Sequence, residues 1–177
     1  MKTIPLTQGQ VALVDDADYE WLSAFKWCAL KRKSGGFDAV RGIPKGRGRW
    51  THLRMSRALL PGTLNVDHVN RNSLDNQRHN LRPATHSQNA ANRGLDIDNS
   101  SGFKGVWWLK DRNKWLASIR VQGRRYILGL FSDVKEAAVA YDKAAREKFG
   151  AFACLNFPEK RTNECHGSTQ TAPNCSL

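Results

Sequence analysis

Over the first thirty residues, hydrophobic positions alternate loosely with polar ones. This predicts two short strands, over residues 4–6 and 11–14. A short helix follows, starting at Asp15 or Asp16 and carrying Tyr19, Leu22 and Phe25 at helical spacing. Between residues 31 and 50 the pattern dissolves into glycines and basic side chains, a Gly-rich loop flanked by strand-like pieces. Glycine lets a backbone come close to phosphates, so this stretch reads equally as a phosphate-binding ribbon or a solvated loop. Residues 52–60 predict a short helix stopped by Pro61-Gly62. Leu64, Val66 and Val69 mark a strand, a loop crowded with Asn and Arg follows, and residues 81–85 make a second strand. Residues 86–95 predict a helix with Thr85 or Ser87 as its N-cap and Gly94 near its end.

After a polar linker beginning at residue 96 the pattern becomes regular. Three apolar-alternating runs predict three strands, the first two joined by Asp111-Arg112-Asn113 and the last two by a tight turn at Gln122-Gly123. In the middle run Trp115, Ala117, Ile119 and Val121 share one face, and Lys114, Leu116, Ser118 and Arg120 share the other. Val134, Ala137, Ala138, Tyr141 and Ala145 then form one stripe of a long helix, with Ser132 as N-cap and Gly150 at its end. The Ala-rich stripe suits close packing on the Trp115/Ile119 face and leaves the Arg120/Arg125 face open. The reading is therefore α+β: residues 1–51 a basic strand and loop region, 52–95 a ββα unit, 96–158 a three-stranded antiparallel sheet packed on one helix, and 159–177 a disordered tail.

Charge narrows the class of partner. The chain carries 28 Lys+Arg against 16 Asp+Glu, a net charge of +12. The excess is shared by residues 1–62, 63–95 and 96–158, so it is not one basic arm but a long footprint suited to a polyanion. No apolar run is long enough to span a membrane and the N-terminus lacks a signal-peptide core, which points to the cytoplasm. Cys28, Cys154, Cys165 and Cys175 show no CxxC spacing, which reads as a reduced protein. A zinc site from Cys154, Cys165, His166 and Cys175 has no recognised spacing.

Candidate chemistry sits in "VDHVNRNSLDNQRHNL", residues 66–81. Asx turns account for loop asparagines without any function. The same residue types also suit phosphodiester hydrolysis. A neutral imidazole takes a proton from water near pH 7, and a carboxylate with an amide oxygen suits a hard cation such as Mg²⁺ or Mn²⁺.

The stretch "VDHVNRNSLDNQRHNLRPATHSQNAANR" resembles the HNH, or ββα-metal, endonucleases in the form carried by phage and intron-associated homing enzymes. The resemblance implies His68 as general base, Asp67 as metal ligand, Asn80 as the residue that positions the base, and Asn89 as second metal ligand with His86 as its alternative. It implies turn roles for Asn72, Asp75 and Asn76, and DNA contacts for Arg71, Arg78 and Arg93. Through "KGV", "KWLASI", "LGLF", "EAAVAYDKAA" and "LNFP", residues 96–158 resemble the APETALA2/ethylene-response-factor DNA-binding domain. That likeness implies a sheet presented to the DNA major groove with Lys104, Trp107, Lys114, Ser118, Arg120, Arg125 and Ile127 on its DNA face. Together the two imply a metal-dependent homing-type endonuclease acting on double-stranded DNA in a bacterial or phage-infected cell, as a monomer or weak dimer. The alternatives are a DNA-binding regulator with an inactive HNH unit and a zinc-stapled scaffold. The cysteines fall outside the ββα stretch, which argues against the scaffold.

Overall fold

The computed structural model describes residues 1–33, 35–96 and 98–158. The tail read as disordered, with Cys165, His166 and Cys175, lies outside the described residues. The chain is α+β. It runs β1 (Lys2–Pro5), β2 (Val11–Val14), α1 (Asp16–Ser23), β3 (Cys28–Lys31), β4 (Phe37–Gly46), β5 (Arg49–Arg54), α2 (Met55–Leu59), β6 (Val66–His68), β7 (Leu81–Pro83), α3 (His86–Asn92), β8 (Val106–Leu109), β9 (Lys114–Val121), β10 (Arg124–Phe131) and α4 (Val134–Phe149). The sheets are β1-β2, β3-β4-β5, β6-β7 and β10-β9-β8, each antiparallel.

The Gly-rich basic stretch is not a loop but a long hairpin. Val40, Arg41, Gly42, Ile43 and Pro44 of β4 pair with Arg54, Leu53, His52, Thr51 and Trp50 of β5. The turn uses Gly46, Arg47 and Gly48 at positive φ, a conformation glycine adopts without steric cost. The helix anticipated over residues 52–60 shrinks accordingly: His52, Leu53 and Arg54 are claimed by the ladder and α2 begins at Met55. The division at residue 51 therefore falls inside β5. One core, including Ile4, Val14, Leu22, Trp27, Met55, Leu59 and Leu81, joins the first fifty residues to the ββα unit.

The C-terminal unit has a core of its own. Val106, Ala117, Ala137 and Ala138 pack as one cluster; Ile119, Tyr141, Ala144, Ala145 and Phe149 pack as another. Small side chains on α4 bring it close to the sheet, and Gly105 shows how close: a Cβ there would fall 2.0 Å from the Tyr141 ring. The β9–β10 turn is Gln122-Gly123 with both φ values positive, as a two-residue I′ hairpin requires. The N-cap of α4 is Asp133, one residue beyond Ser132; its carboxylate accepts from the backbone N–H of Lys135 and Glu136. A carboxylate satisfies these N–H groups and favours the helix dipole at once. The two units touch through α3, because Ala91 belongs to the core cluster of Ile119 and Tyr141.

Candidate active site and nucleic-acid interface

Strands β6 and β7 pair as Val66↔Pro83, Asp67↔Arg82 and His68↔Leu81, and α3 packs behind them. Helix α3 starts in a full capping box: Thr85 accepts from Gln88 N–H while the Gln88 side chain accepts from Thr85 N–H. Successive strand residues point to opposite faces. His68 accordingly faces a cleft of about 330 Å³ that His86 and Asn89 also line, whereas Asp67 is absent from that lining.

The asparagines between the strands form a hydrogen-bonded scaffold. Asn70 Oδ1 accepts from Asn72 N–H, Asn72 Oδ1 from Leu74 N–H, and Asp75 Oδ2 from Asn70 Nδ2 at 2.7 Å. Asn80 is buried, its Oδ1 accepting from Asn70 N–H at 2.9 Å and its Nδ2 donating to Asp75 carbonyl at 2.8 Å. The loop is also stitched to β2: Asn76 N–H donates to Leu13 carbonyl, and Leu13 N–H to Leu74 carbonyl. The Asn80 side chain therefore makes no hydrogen bond to His68. The residue that does is Asn76, read from the sequence as a turn residue, whose Oδ1 lies 3.4 Å from His68 Nε2. Asn76 Nδ2 is committed to Ser73 carbonyl at 3.3 Å, so its oxygen is the atom facing the ring. Nothing in the sequence separates Asn76 from Asn72 as a partner for His68; only the path of the loop does.

Burial lowers the His68 pKa from 6.5, and the Arg32 charge adds to this; Asn76, Asp38 and Asp67 oppose it. The ring is thus held neutral at pH 7. With Nε2 donating to Asn76, the lone pair sits on Nδ1.

Asp67 is 4% exposed. Its Oδ2 takes Arg82 Nε at 2.8 Å and Nη2 at 2.7 Å, and its Oδ1 takes Asn92 Nδ2 at 2.9 Å. A carboxylate offers about four lone-pair sites, so one on Oδ1 remains. Among the described residues no three His, Cys, Asp or Glu side chains converge on a metal position. By residue type a carboxylate with an amide oxygen or an imidazole suits Mg²⁺ or Mn²⁺, but Asn89 and His86 line the His68 cleft while Asp67 faces away from it to Arg82 and Asn92, so the fold does not bring the three expected donors to one position.

Several expected DNA contacts are placed elsewhere. Arg78 makes a bidentate pair with buried Asp18, 2.7 Å for each bond, and its N–H donates to Asp15. This pair ties the loop to α1, and Arg78 does not line the His68 cleft. Arg71 donates to Cys154 Sγ, and Arg93 is exposed at the C-cap of α3. Lys104, expected on the DNA face, donates to the Ala91 and Arg93 carbonyls at the end of α3, where a cation satisfies orphan carbonyls and opposes the dipole. The outer face of the C-terminal sheet does carry Trp107, Lys114, Ser118, Arg120, Arg125 and Ile127. Ile127 is 69% exposed, whereas the Ser118 hydroxyl is buried and accepts from Arg125 Nε at 3.0 Å. Arg125 lies 4.6 Å from the centre of the Trp107 ring, so it is pre-stacked between an aromatic face and a hydroxyl. Lys114 is engaged by Ser132 at 2.6 Å.

This chain is 29% identical over 150 residues to a protein of Acanthamoeba polyphaga mimivirus named as an uncharacterized HNH endonuclease, covering 84% of this chain and 76% of that one. Protein 3.8 of Escherichia phage T7 is 30% identical over 94 residues, 53% of this chain and 77% of its own. The chain belongs to the HNH endonuclease family. Dehydration-responsive element-binding protein 2D of Arabidopsis thaliana is 48% identical over 65 residues, 35% of this chain and 31% of its own, in keeping with an APETALA2-type domain beside the HNH unit. No protein-family model matches the chain. Among the described residues no helix of this HNH protein is long and apolar enough to cross a membrane.

Proposed function

We propose that this chain is a metal-dependent, homing-type endonuclease that hydrolyses a phosphodiester bond in double-stranded DNA, inside a bacterial or phage-infected cell. The observation that carries the reading is His68: a half-buried imidazole, kept neutral by burial and hydrogen-bonded to Asn76, lining an open cleft together with His86 and Asn89. A structural histidine has no need of such an opening.

His68 Nδ1 takes a proton from a water as that water attacks the phosphorus. Nε2 keeps its proton on Asn76, which fixes the tautomer and steadies the imidazolium that forms. Asn80 acts one step removed, by holding the loop that holds Asn76. When bound in the His68 cleft, a divalent cation would be held by Asn89 or His86, with Asp67 able to join only by leaving Arg82, and would neutralise charge on the scissile phosphate and the leaving oxygen. The C-terminal sheet holds the DNA, with Arg120 and Arg125 as base-reading candidates. A single site of this kind cuts one strand, so a monomer nicks and a double-strand break takes a second copy or a second event.

Incubation with supercoiled plasmid and Mg²⁺ or Mn²⁺, with and without chelator, tests this. Open-circular product that disappears with chelator supports it. Binding without cutting in either metal would instead support a DNA-binding regulator with an inactive HNH unit.

A further inference from the structure

The cleft in front of His68 has a second wall, supplied not by the ββα unit but by the N-terminal sheet. Arg32 follows β3, Asp38 lies on β4 and Arg54 ends β5; all three line the cleft with His68. Asp38 is buried between the two arginines, its Oδ2 accepting from Arg54 Nε at 3.0 Å and its Oδ1 lying 3.8 Å from Arg32 Nε. One carboxylate between two guanidiniums leaves the wall positive, and it fixes where their remaining N–H groups sit.

Arg32 is held ready for a further partner. Its Nε is buried but meets no hydrogen-bond acceptor among the described residues, since 3.8 Å is beyond hydrogen-bond reach. Buried donors are rarely left unpaired, and this one belongs to a side chain that lines the cleft. Gly36, at φ +72, makes room for the guanidinium: a Cβ there would come within 2.8 Å of Arg32 Nη2. By contrast, Arg71, Arg78 and Arg82 of the ββα unit bond Cys154, Asp18 and Asp67 and do not line the cleft.

We infer that Arg32 and Arg54, spaced by Asp38, form a phosphate clamp that seats a DNA backbone phosphate in front of His68. A planar guanidinium is suited to this, because it offers paired N–H groups to two phosphate oxygens. The nucleophile and the phosphate then come from different parts of the fold, the base from β6 and the clamp from the β3-β4-β5 sheet. The inference rests on the nuclease reading for its biological meaning, but its geometry can be tested without turnover.

The test uses the full-length ¹⁵N-labelled chain in chelator, with inorganic phosphate and then a short DNA duplex added. The arginine Nε–Hε signals and the His68 ring signals are followed. The clamp requires the Arg32, Arg54 and His68 signals to move together. Arg32→Ala weakens the His68 response roughly tenfold, as loss of one charged hydrogen bond should. Arg32→Lys restores part of it, which a purely structural role would not produce. In plasmid cutting, Arg32→Ala lowers the single-turnover rate at saturating DNA by roughly 10²-fold with little change in DNA affinity. Wild-type arginine signals that ignore both probes, or an Arg32→Ala, Arg54→Ala variant that responds and cuts like wild type, overturn the clamp. If the wild type responds but never cuts, the clamp stands and the nuclease reading falls. If Arg32→Ala does not fold, the wild-type signals and Arg32→Lys still decide.

Discussion

In the C-terminal unit, Ala117 of β9 meets Ala137 and Ala138 of α4, and Gly105 admits the Tyr141 ring where a methyl could not fit. Around His68 there is little of this. The loop from β6 to β7 is shaped by Asn70, Asn72, Asp75, Asn76 and Asn80 bonding to one another and to backbone, and it borrows apolar support from β2 and α1. One unit is specified by volume and the other by hydrogen bonds. The difference matters for function. Volume makes a stiff platform that can present Arg120 and Arg125 to a duplex. A polar network can hold an imidazole in one tautomer beside an open cleft, at the cost of depending on every member.

The two schemes meet at Arg82, and its loss should have the largest effect. Arg82 pairs with buried Asp67, donates to Ala151 carbonyl at 3.0 Å, and stacks over Phe152 at 3.8 Å. Arg82→Ala strands a buried carboxylate, and a broken buried pair costs about 3–5 kcal/mol. A thermal melt should show it, with partial rescue by Mg²⁺ if a cation can replace the guanidinium on Asp67. A drop within about 0.5 kcal/mol would mean the units are not joined there. Gly105→Ala comes next, at roughly 3 kcal/mol, since overpacking adds to a positive-φ penalty. Its melt should lose the C-terminal unit first, whereas a neutral effect would show that volume is not what specifies that unit.

Smaller effects separate Lys104, at the end of α3, from Arg120, on the outer face of the C-terminal sheet. Lys104→Ala should cost about 1 kcal/mol of stability, as loss of a helix-end cation, with no change in sequence preference. Arg120→Ala should leave the melt unchanged and reduce discrimination between target and random duplex by about 1–3 kcal/mol. Anisotropy titrations of both variants at two salt concentrations read this directly, and equal losses on both duplexes for Arg120→Ala would make it a phosphate contact instead.

These differences also explain what could be read from the chain beforehand. The sheet and helix of the C-terminal unit were legible because alternation and a 3.6-residue stripe are local, and the packing they imply has one solution. The β6–β7–α3 order was legible from the same cues and from the "DH…NL" spacing. The hairpin of β4 and β5 was not, because glycines and arginines carry no period; its register comes from pairing with β3 and burial of Ala39 and Val40. Nor could the cleft's own arginines be found. Arg32 is far from His68 in sequence and Arg54 belongs to a strand the pattern did not show, while Arg78, inside the motif, turns away to Asp18 because α1 lies against the loop. Asn76 was hidden among equals: four asparagines share one loop and only the chain path selects one for the imidazole.

Protonation offers a further cut between the two units. Because the His68 pKa is lowered on folding, its neutral form contributes stability that is present above pH 6.5 and lost as pH falls below it, through the depressed folded value. The acid limb of cutting should lie below 6.5 as well, for the base must be neutral, while duplex binding by the sheet should not follow that limb.

Cutting of supercoiled plasmid by wild type and His68→Ala, side by side with Mg²⁺ or Mn²⁺, is the most direct measurement. The wild type should give open-circular product that chelator abolishes. His68→Ala should be about 10²–10⁴-fold slower, with duplex affinity essentially unchanged. A His68→Ala protein that cuts at the wild-type rate would remove His68 as the base, and with it the reading of this cleft as the site where DNA is cut.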